Sequence, residues 1–169
     1  HYFYQANEEG AAFLTGVSYD ASDDSWYLHS KDGVYTENRQ KITEAEAREM
    51  INAYPPLEIH WMPLKHFGET PVIIDDPDPY ARFLAERALR YEDVKNDTYT
   101  KLDLNGDGIQ ELLLCRSGGS SMDIYTIRDG ECQLYTGNIS YICEGNILEG
   151  CEEDQDQGRY YGFYRCGVE

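Results

Sequence analysis

Long hydrophobic runs are missing from this chain. Nowhere is it apolar for the roughly 20 residues that a membrane-spanning helix needs, so no transmembrane segment is expected. Basic residues are scarce: 14 Lys and Arg stand against 32 Asp and Glu, for a net charge of −18. Such a field repels phosphate backbones and anionic lipid surfaces, which argues against nucleic acid as a partner. The five cysteines, Cys115, Cys132, Cys143, Cys151 and Cys166, form no C-x-x-C pair, which disfavours a zinc ribbon or a thioredoxin-like site. No phosphate-binding glycine loop, dinucleotide fingerprint or G-x-S-x-G nucleophile elbow is present, so neither a nucleotide site nor that hydrolase type has support.

What is present suffices for a folded core. Hydrophobic residues make up 41% of the 169, and aromatics 13%, mostly tyrosine (15 Tyr, 5 Phe, 2 Trp). Tyrosine suits half-buried strands, where the ring packs and the hydroxyl stays wet. The acidic surface fits an extracellular protein that must stay soluble. The chain opens on His1-Tyr2-Phe3-Tyr4, which already reads as a strand, so a processed or trimmed product is expected. The cysteines leave two readings open: one or two disulfides in an oxidising compartment, or buried free thiols.

Along the chain, Phe13–Tyr19 alternates apolar and polar as a half-buried strand does, and Trp26–His29 and Gly33–Tyr35 are short strand candidates. Thr43 with Glu46 three residues on forms a capping box, and Ala47, Met50, Ile51 and Tyr54 fall on one helical face that Pro55-Pro56 ends. A strand over Leu57–Trp61 follows. Asp78 as N-cap and Pro79 at the first position open a second helix with Tyr80, Phe83, Leu84, Ala88 and Tyr91 as its apolar stripe, ending near Asp93. From Thr98 onward an antiparallel meander is expected, with strands near 99–104, 111–115, 122–127, 132–135, 139–143, 147–150 and 160–165. Asp129-Gly130 marks a type I′ hairpin, and Gly145-Asn146 a tight turn. Leu112-Leu113-Leu114 is apolar on both faces and predicts a central, covered strand. The fold class is α+β: an antiparallel β-meander with two short helices packed on it. The domains are expected at 1–74, where the echo of Phe3-Tyr4-Gln5 in Phe163-Tyr164-Arg165 suggests the completion of a preceding repeat, and at 75–169.

The sharpest motif is Asp103-Leu104-Asn105-Gly106-Asp107-Gly108-Ile109-Gln110-Glu111. Oxygen-bearing side chains stand at positions one, three and five, with glycine at six. A hard cation such as Ca²⁺ takes about six to eight oxygens at roughly 2.4 Å, and alternate side chains of a tightly curled loop converge on such a point. Asp103, Asn105, Asp107, the Ile109 carbonyl and Glu111 are the candidate ligands, with the Ile109 side chain turned into the core. The competing reading is an acidic turn held by Asx hydrogen bonds without metal.

This stretch resembles the calcium loops of EF-hands and dockerins, and is closer to the D-x-[DN]-x-D-G loops of integrin-type propeller repeats. It departs from the EF-hand at position twelve, where Leu114 stands in place of the bidentate glutamate, and strands rather than helices are expected on both flanks. A structural Ca²⁺ in a strand–loop–strand site follows from that likeness. A helix, a strand, the acidic loop and then Ile124-Tyr125-Thr126-Ile127-Arg128-Asp129-Gly130 also resemble a recurrent domain of secreted, lipoprotein-like proteins of Gram-positive anaerobic bacteria, over about residues 80–165. That resemblance implies a secreted or envelope-anchored location, implies no known reaction, and puts the glycosylation-type triplets at Asn96 and Asn138 down to chance.

Other chemistry has thinner support. His60 and His66 flank Trp61 without a metal-site spacing, and among 32 acidic residues no carboxylate pair singles itself out. The run Glu149, Glu152, Glu153, Asp154 and Asp156 reads as a solvated loop. Trp26, Trp61 and exposed tyrosines can stack on sugar rings or peptide groups. The favoured reading is thus an extracellular or envelope binding or scaffold module with a glycan or protein ligand. The alternatives are a secreted hydrolase working through carboxylates or His60, and a structural spacer repeated along a longer protein.

Overall fold

The computed structural model describes residues 1–30, 39–64, 78–90, 96–116 and 121–150, with short backbone pieces at 153–154 and 159–160. The fold is α+β, with antiparallel strands and two helices, and no helix among the described residues is long and apolar enough to cross a membrane. The expected strand at Gly33–Tyr35, the ends of helix two and of the last strand, and His66, Cys151 and Cys166 lie outside the described residues. So does the expected domain boundary between 74 and 75. By contacts the chain forms two units, one from 1–57 with 139–169 and the other from 58–138.

In the first unit the strands run in the order β4 (Arg39–Ile42), β3 (Ser25–His29), β2 (Gly10–Asp20), β1 (Tyr2–Asn7), β10 (Ile147–Gly150), then the end of β9 (Glu131–Cys143). Every pairing is antiparallel. Helix α1 (Glu44–Asn52) starts at Thr43. The Thr43 hydroxyl accepts from the Glu46 N–H, and the Glu46 carboxylate accepts from the Thr43 N–H at 2.8 Å, which completes the expected capping box. Ala47 is fully buried, and beyond α1 the Tyr54 ring packs on buried Phe3 with centroids 4.4 Å apart.

The segment Leu57–Trp61 is not a strand. Pro55 and Pro56 carry no N–H, and one bond from Leu57 N–H to the Ile142 carbonyl, at 2.7 Å, does not extend into a ladder. Glu149, expected in a solvated loop, instead lies in β10, is 8% exposed and pairs with His1.

In the second unit the order is the start of β9, then β8 (Met122–Arg128), β7 (Glu111–Cys115), β6 (Thr98–Leu102) and β5 (Met62–Pro63). Helix α2 (Pro79–Arg90) is capped as its sequence announces: Asp78 Oδ1 accepts from the Tyr80 N–H at 2.9 Å, and the other carboxylate oxygen holds the Lys101 ammonium at 2.6 Å. Tyr80 and Leu84 pack on Leu64, Leu112 and Leu114 to form the core. Leu112, Leu113 and Leu114 are all fully buried, and β7 is paired on both sides, as their apolar run implies.

The two expected strands 132–135 and 139–143 are one continuous strand, β9. Gly137 does not turn the chain. It makes room, because a Cβ there would stand 3.0 Å from the Asp123 carboxylate. Asn138 adopts positive φ within the strand, which asparagine tolerates. Asp129 and Gly130 both have positive φ, as a type I′ hairpin requires.

Candidate functional site

The acidic loop spans the gap between β6 and β7, so strands and not helices flank it. Its curl comes from Gly106 and Gly108, both with positive φ (79° and 85°), where a side chain would be strained. Successive side chains fold back on the main chain. Asp103 accepts from the Gly106 N–H at 2.8 Å with one oxygen and from the Gly108 N–H at 3.1 Å with the other. Asn105 Oδ1 accepts from the Asp107 N–H at 2.9 Å, and Asp107 Oδ1 accepts from the Ile109 N–H at 2.7 Å.

Glu111 anchors this curl to the core. Its carboxylate is completely buried and accepts from the Leu104 N–H at 2.8 Å and from the Thr126 hydroxyl on β8 at 3.2 Å. Burial raises its pKa, Asp107 adds to the rise, and the Leu104 and Thr126 bonds oppose it. Burial and the nearby Glu111 charge also push the Tyr80 phenol upward. Sequence reasoning finds Glu111 from its place in the loop, but Leu104 and Thr126, which hold it, carry no signal at that spacing.

Asn105 links the carboxylates. Its amide nitrogen donates to Asp107 Oδ2 at 3.0 Å and reaches Glu111 Oε1 at 3.4 Å. Among the described residues, no three His, Cys, Asp or Glu side chains form a group able to hold a metal. Asp107, Asn105 and Glu111 are therefore brought together by an amide, while Asp103 turns to the glycine N–H groups. The Ile109 side chain does not enter the core as expected. It is 44% exposed, and Leu104, fully buried, fills that role.

The donor chemistry still fits a hard cation. Each carboxylate has about four lone-pair sites, and Asp103 uses two of them on backbone N–H groups. A half-turn of the Asn105 amide exchanges its oxygen for its nitrogen at nearly equal size. All donors offered by Asp103, Asn105, Asp107, Ile109 and Glu111 are oxygen, which suits Ca²⁺ and not zinc or copper.

Elsewhere, among the described residues, the structure gathers no catalytic set that the sequence anticipated. His60 is exposed and, among the described residues, makes no hydrogen bond or ion pair. A serine–histidine contact that sequence reasoning missed joins Ser18 Oγ to His29 Nε2 at 2.8 Å, across paired strands. His29 is buried, and among the described residues its Nδ1 has no hydrogen-bond partner, so no second group among them orients the ring as a catalytic base needs. Burial, with Arg39 adding to it, lowers the His29 pKa and keeps the ring neutral. Cys115, Cys132 and Cys143 are free thiols.

No protein-family model matches the chain, and neither a curated protein nor a solved structure matches it.

Proposed function

We propose that this protein is a non-catalytic binding or scaffold module of the cell exterior, secreted or held at the envelope, whose second unit is braced by a structural Ca²⁺. The cation would be held by Asp103, Asn105, Asp107, the Ile109 carbonyl and Glu111. The observation that carries this reading is the loop itself: oxygen donors alternate along a curl set by two positive-φ glycines, and its last carboxylate, Glu111, is fully buried. Bound there, the cation supplies charge neutralisation and stiffness, not reactivity. It would offset the burial of the Glu111 carboxylate and tie β6 to β7.

The test is thermal melting in Ca²⁺, in Mg²⁺ and in chelator, for wild type and Asp103→Ala. With a dissociation constant near 0.1 mM and about 1 mM free Ca²⁺, linkage contributes about 1.4 kcal/mol, a rise of about 3–6 °C for a chain of this size. The rise should be selective for Ca²⁺ and absent in the variant. Identical melts in all three conditions would remove the ion from the account.

A further inference from the structure

The first unit carries a hollow of about 570 Å³ where the β2–β3 hairpin, β4 and the start of α1 meet. Its wall includes Tyr19, Asp24, Trp26, Lys41, Thr43 and Glu44. From these residues we infer that the hollow binds a neutral glycan, engaging one or two pyranose units. This names the ligand class of the binding module proposed above and rests on that reading.

Two aromatic rings set the character of the hollow. Tyr19 and Trp26 are direct cross-strand partners, so their side chains rise from the same face. Their centroids are 5.2 Å apart and the planes meet at 51°, a tilted pair and not a closed stack. Tyr19 is 36% exposed, and Trp26 is half-buried. Core aromatics would be covered by other side chains, whereas these two leave ring surface on an open hollow. Ring faces of this kind take the C–H face of a pyranose.

The polar groups suit hydroxyls. The Tyr19 hydroxyl donates to Asp24 Oδ1 at 2.5 Å, which fixes the ring and leaves Asp24 Oδ2 to accept from a sugar hydroxyl. Asp24 sits at positive φ (51°), the left-handed region that aspartate tolerates in turns. Lys41 pairs with Tyr27, whereas Tyr19, Trp26 and Ile42 share a face as cross-strand partners, so the Lys41 side chain rises from the other face of the sheet. Glu44 is engaged with Arg48 at 2.6 Å, and the Thr43 hydroxyl belongs to the helix cap.

Charge and size narrow the occupant. Asp24 and Glu44 stand on the wall, so a strongly anionic ligand would meet repulsion. A purely apolar ligand would strip water from Asp24 without return. A ligand with apolar faces and neutral hydroxyl rims satisfies both, and the volume lies within the roughly 300–1,000 Å³ of small-ligand sites.

The experiment reads Trp26 alone. In a Trp61→Phe background, the only other tryptophan is gone. Fluorescence is titrated with cellotriose, maltotriose, chitotriose and, as the peptide control, triglycine amide, all in chelator so that the Ca²⁺ loop plays no part. At least one trisaccharide should shift Trp26 emission saturably, with a dissociation constant of about 0.1–5 mM. Adding Tyr19→Ala should weaken it about tenfold. Asp24→Asn, an exposed change that keeps an acceptor for the Tyr19 hydroxyl, should weaken it several-fold. The inference is overturned if no trisaccharide gives a saturable shift, if triglycine amide alone does, or if neither variant alters the constant. Saturable binding in chelator without any Ca²⁺ effect on melting would leave the hollow standing and end the calcium reading alone.

Discussion

Replacing Asn105 by Asp separates the two explanations of the acidic loop. In this structure the Asn105 amide nitrogen donates to Asp107 Oδ2 at 3.0 Å and to Glu111 Oε1 at 3.4 Å. Aspartate keeps the acceptor for the Asp107 N–H but loses both donors. A third carboxylate then faces the other two at the same separations. The lost bond to an exposed carboxylate costs about 1 kcal/mol. Repulsion between unit charges about 4 Å apart adds about 1–2 kcal/mol at the near-water dielectric of an exposed loop. In chelator Asn105→Asp should therefore lie about 2–3 kcal/mol below wild type, or about 5–10 °C in melting temperature.

Calcium should restore about half of this. The same substitution adds an anionic oxygen donor. If affinity rises tenfold, from about 0.1 mM to about 0.01 mM, the stabilisation at 1 mM Ca²⁺ grows from about 1.4 to about 2.7 kcal/mol. Calorimetry of both proteins in chelator and in 1–10 mM Ca²⁺ provides all four values. A variant as stable as wild type in chelator would refute the amide link. A variant destabilised in chelator that Ca²⁺ does not restore would show a hairpin closed by hydrogen bonds alone.

Three further outcomes follow from the geometry. Leu114→Ala removes a fully buried side chain packed among Leu64, Tyr80 and Leu84, and should cost about 3–4 kcal/mol by urea denaturation; a loss below about 1 kcal/mol would contradict that core. For Asp78, partial burial alone would raise the pKa, but the Lys101 ammonium and the Tyr80 N–H outweigh it and the net shift is downward. A lowered folded-state pKa contributes stability above the unfolded value and loses it as pH falls through the folded one. Asp78→Asn, which keeps a capping oxygen, should thus cost about 0.5 kcal/mol at pH 7, a cost that shrinks as pH falls below the ordinary aspartate range, measured as urea midpoints at pH 7 and in acid. Burial holds the Cys132 and Cys143 thiols at about 11, aided by Asp78 and Glu149 respectively. Only about one thiol in a thousand is then ionised at pH 8, so site-resolved mass spectrometry should find both alkylated slowly in native protein and rapidly in denaturant.

Local signals carried much of this fold. Thr43 with Glu46, and Asp78 with Pro79, announce their helices because caps act over three or four residues. Leu112–Leu114 announces a covered strand because both faces are apolar. The failures share a cause: the deciding partner is distant in sequence. Leu57–Trp61 alternates like a strand, but among the described residues it makes one main-chain bond, from the Leu57 N–H to the Ile142 carbonyl, beside a bridge at Pro56. Arg39–Ile42 has no apolar alternation and is extended because β3 pairs with it. Gly137 and Asn138 look like a turn, yet the glycine serves the approach of Asp123. At the loop, the spacing of Asp103, Asn105, Asp107 and Glu111 was legible. The Thr126 hydroxyl that holds Glu111, and the Asn105 amide that gathers two carboxylates, were not. The expected inward turn of Ile109 failed because Leu104, just after the first acid, already occupies the core.

The outermost described strand of each unit is short and poorly suited to recruit another chain. β4 is four residues long and presents Arg39 and Lys41, and β5 is two residues long and ends in Pro63, which has no N–H to donate. Unpaired strand borders template aggregation where they are long, flat and uncharged. Here cationic side chains guard one border and an imino acid truncates the other. A strand-rich protein gains from such guards, which oppose fibre-like growth from either border.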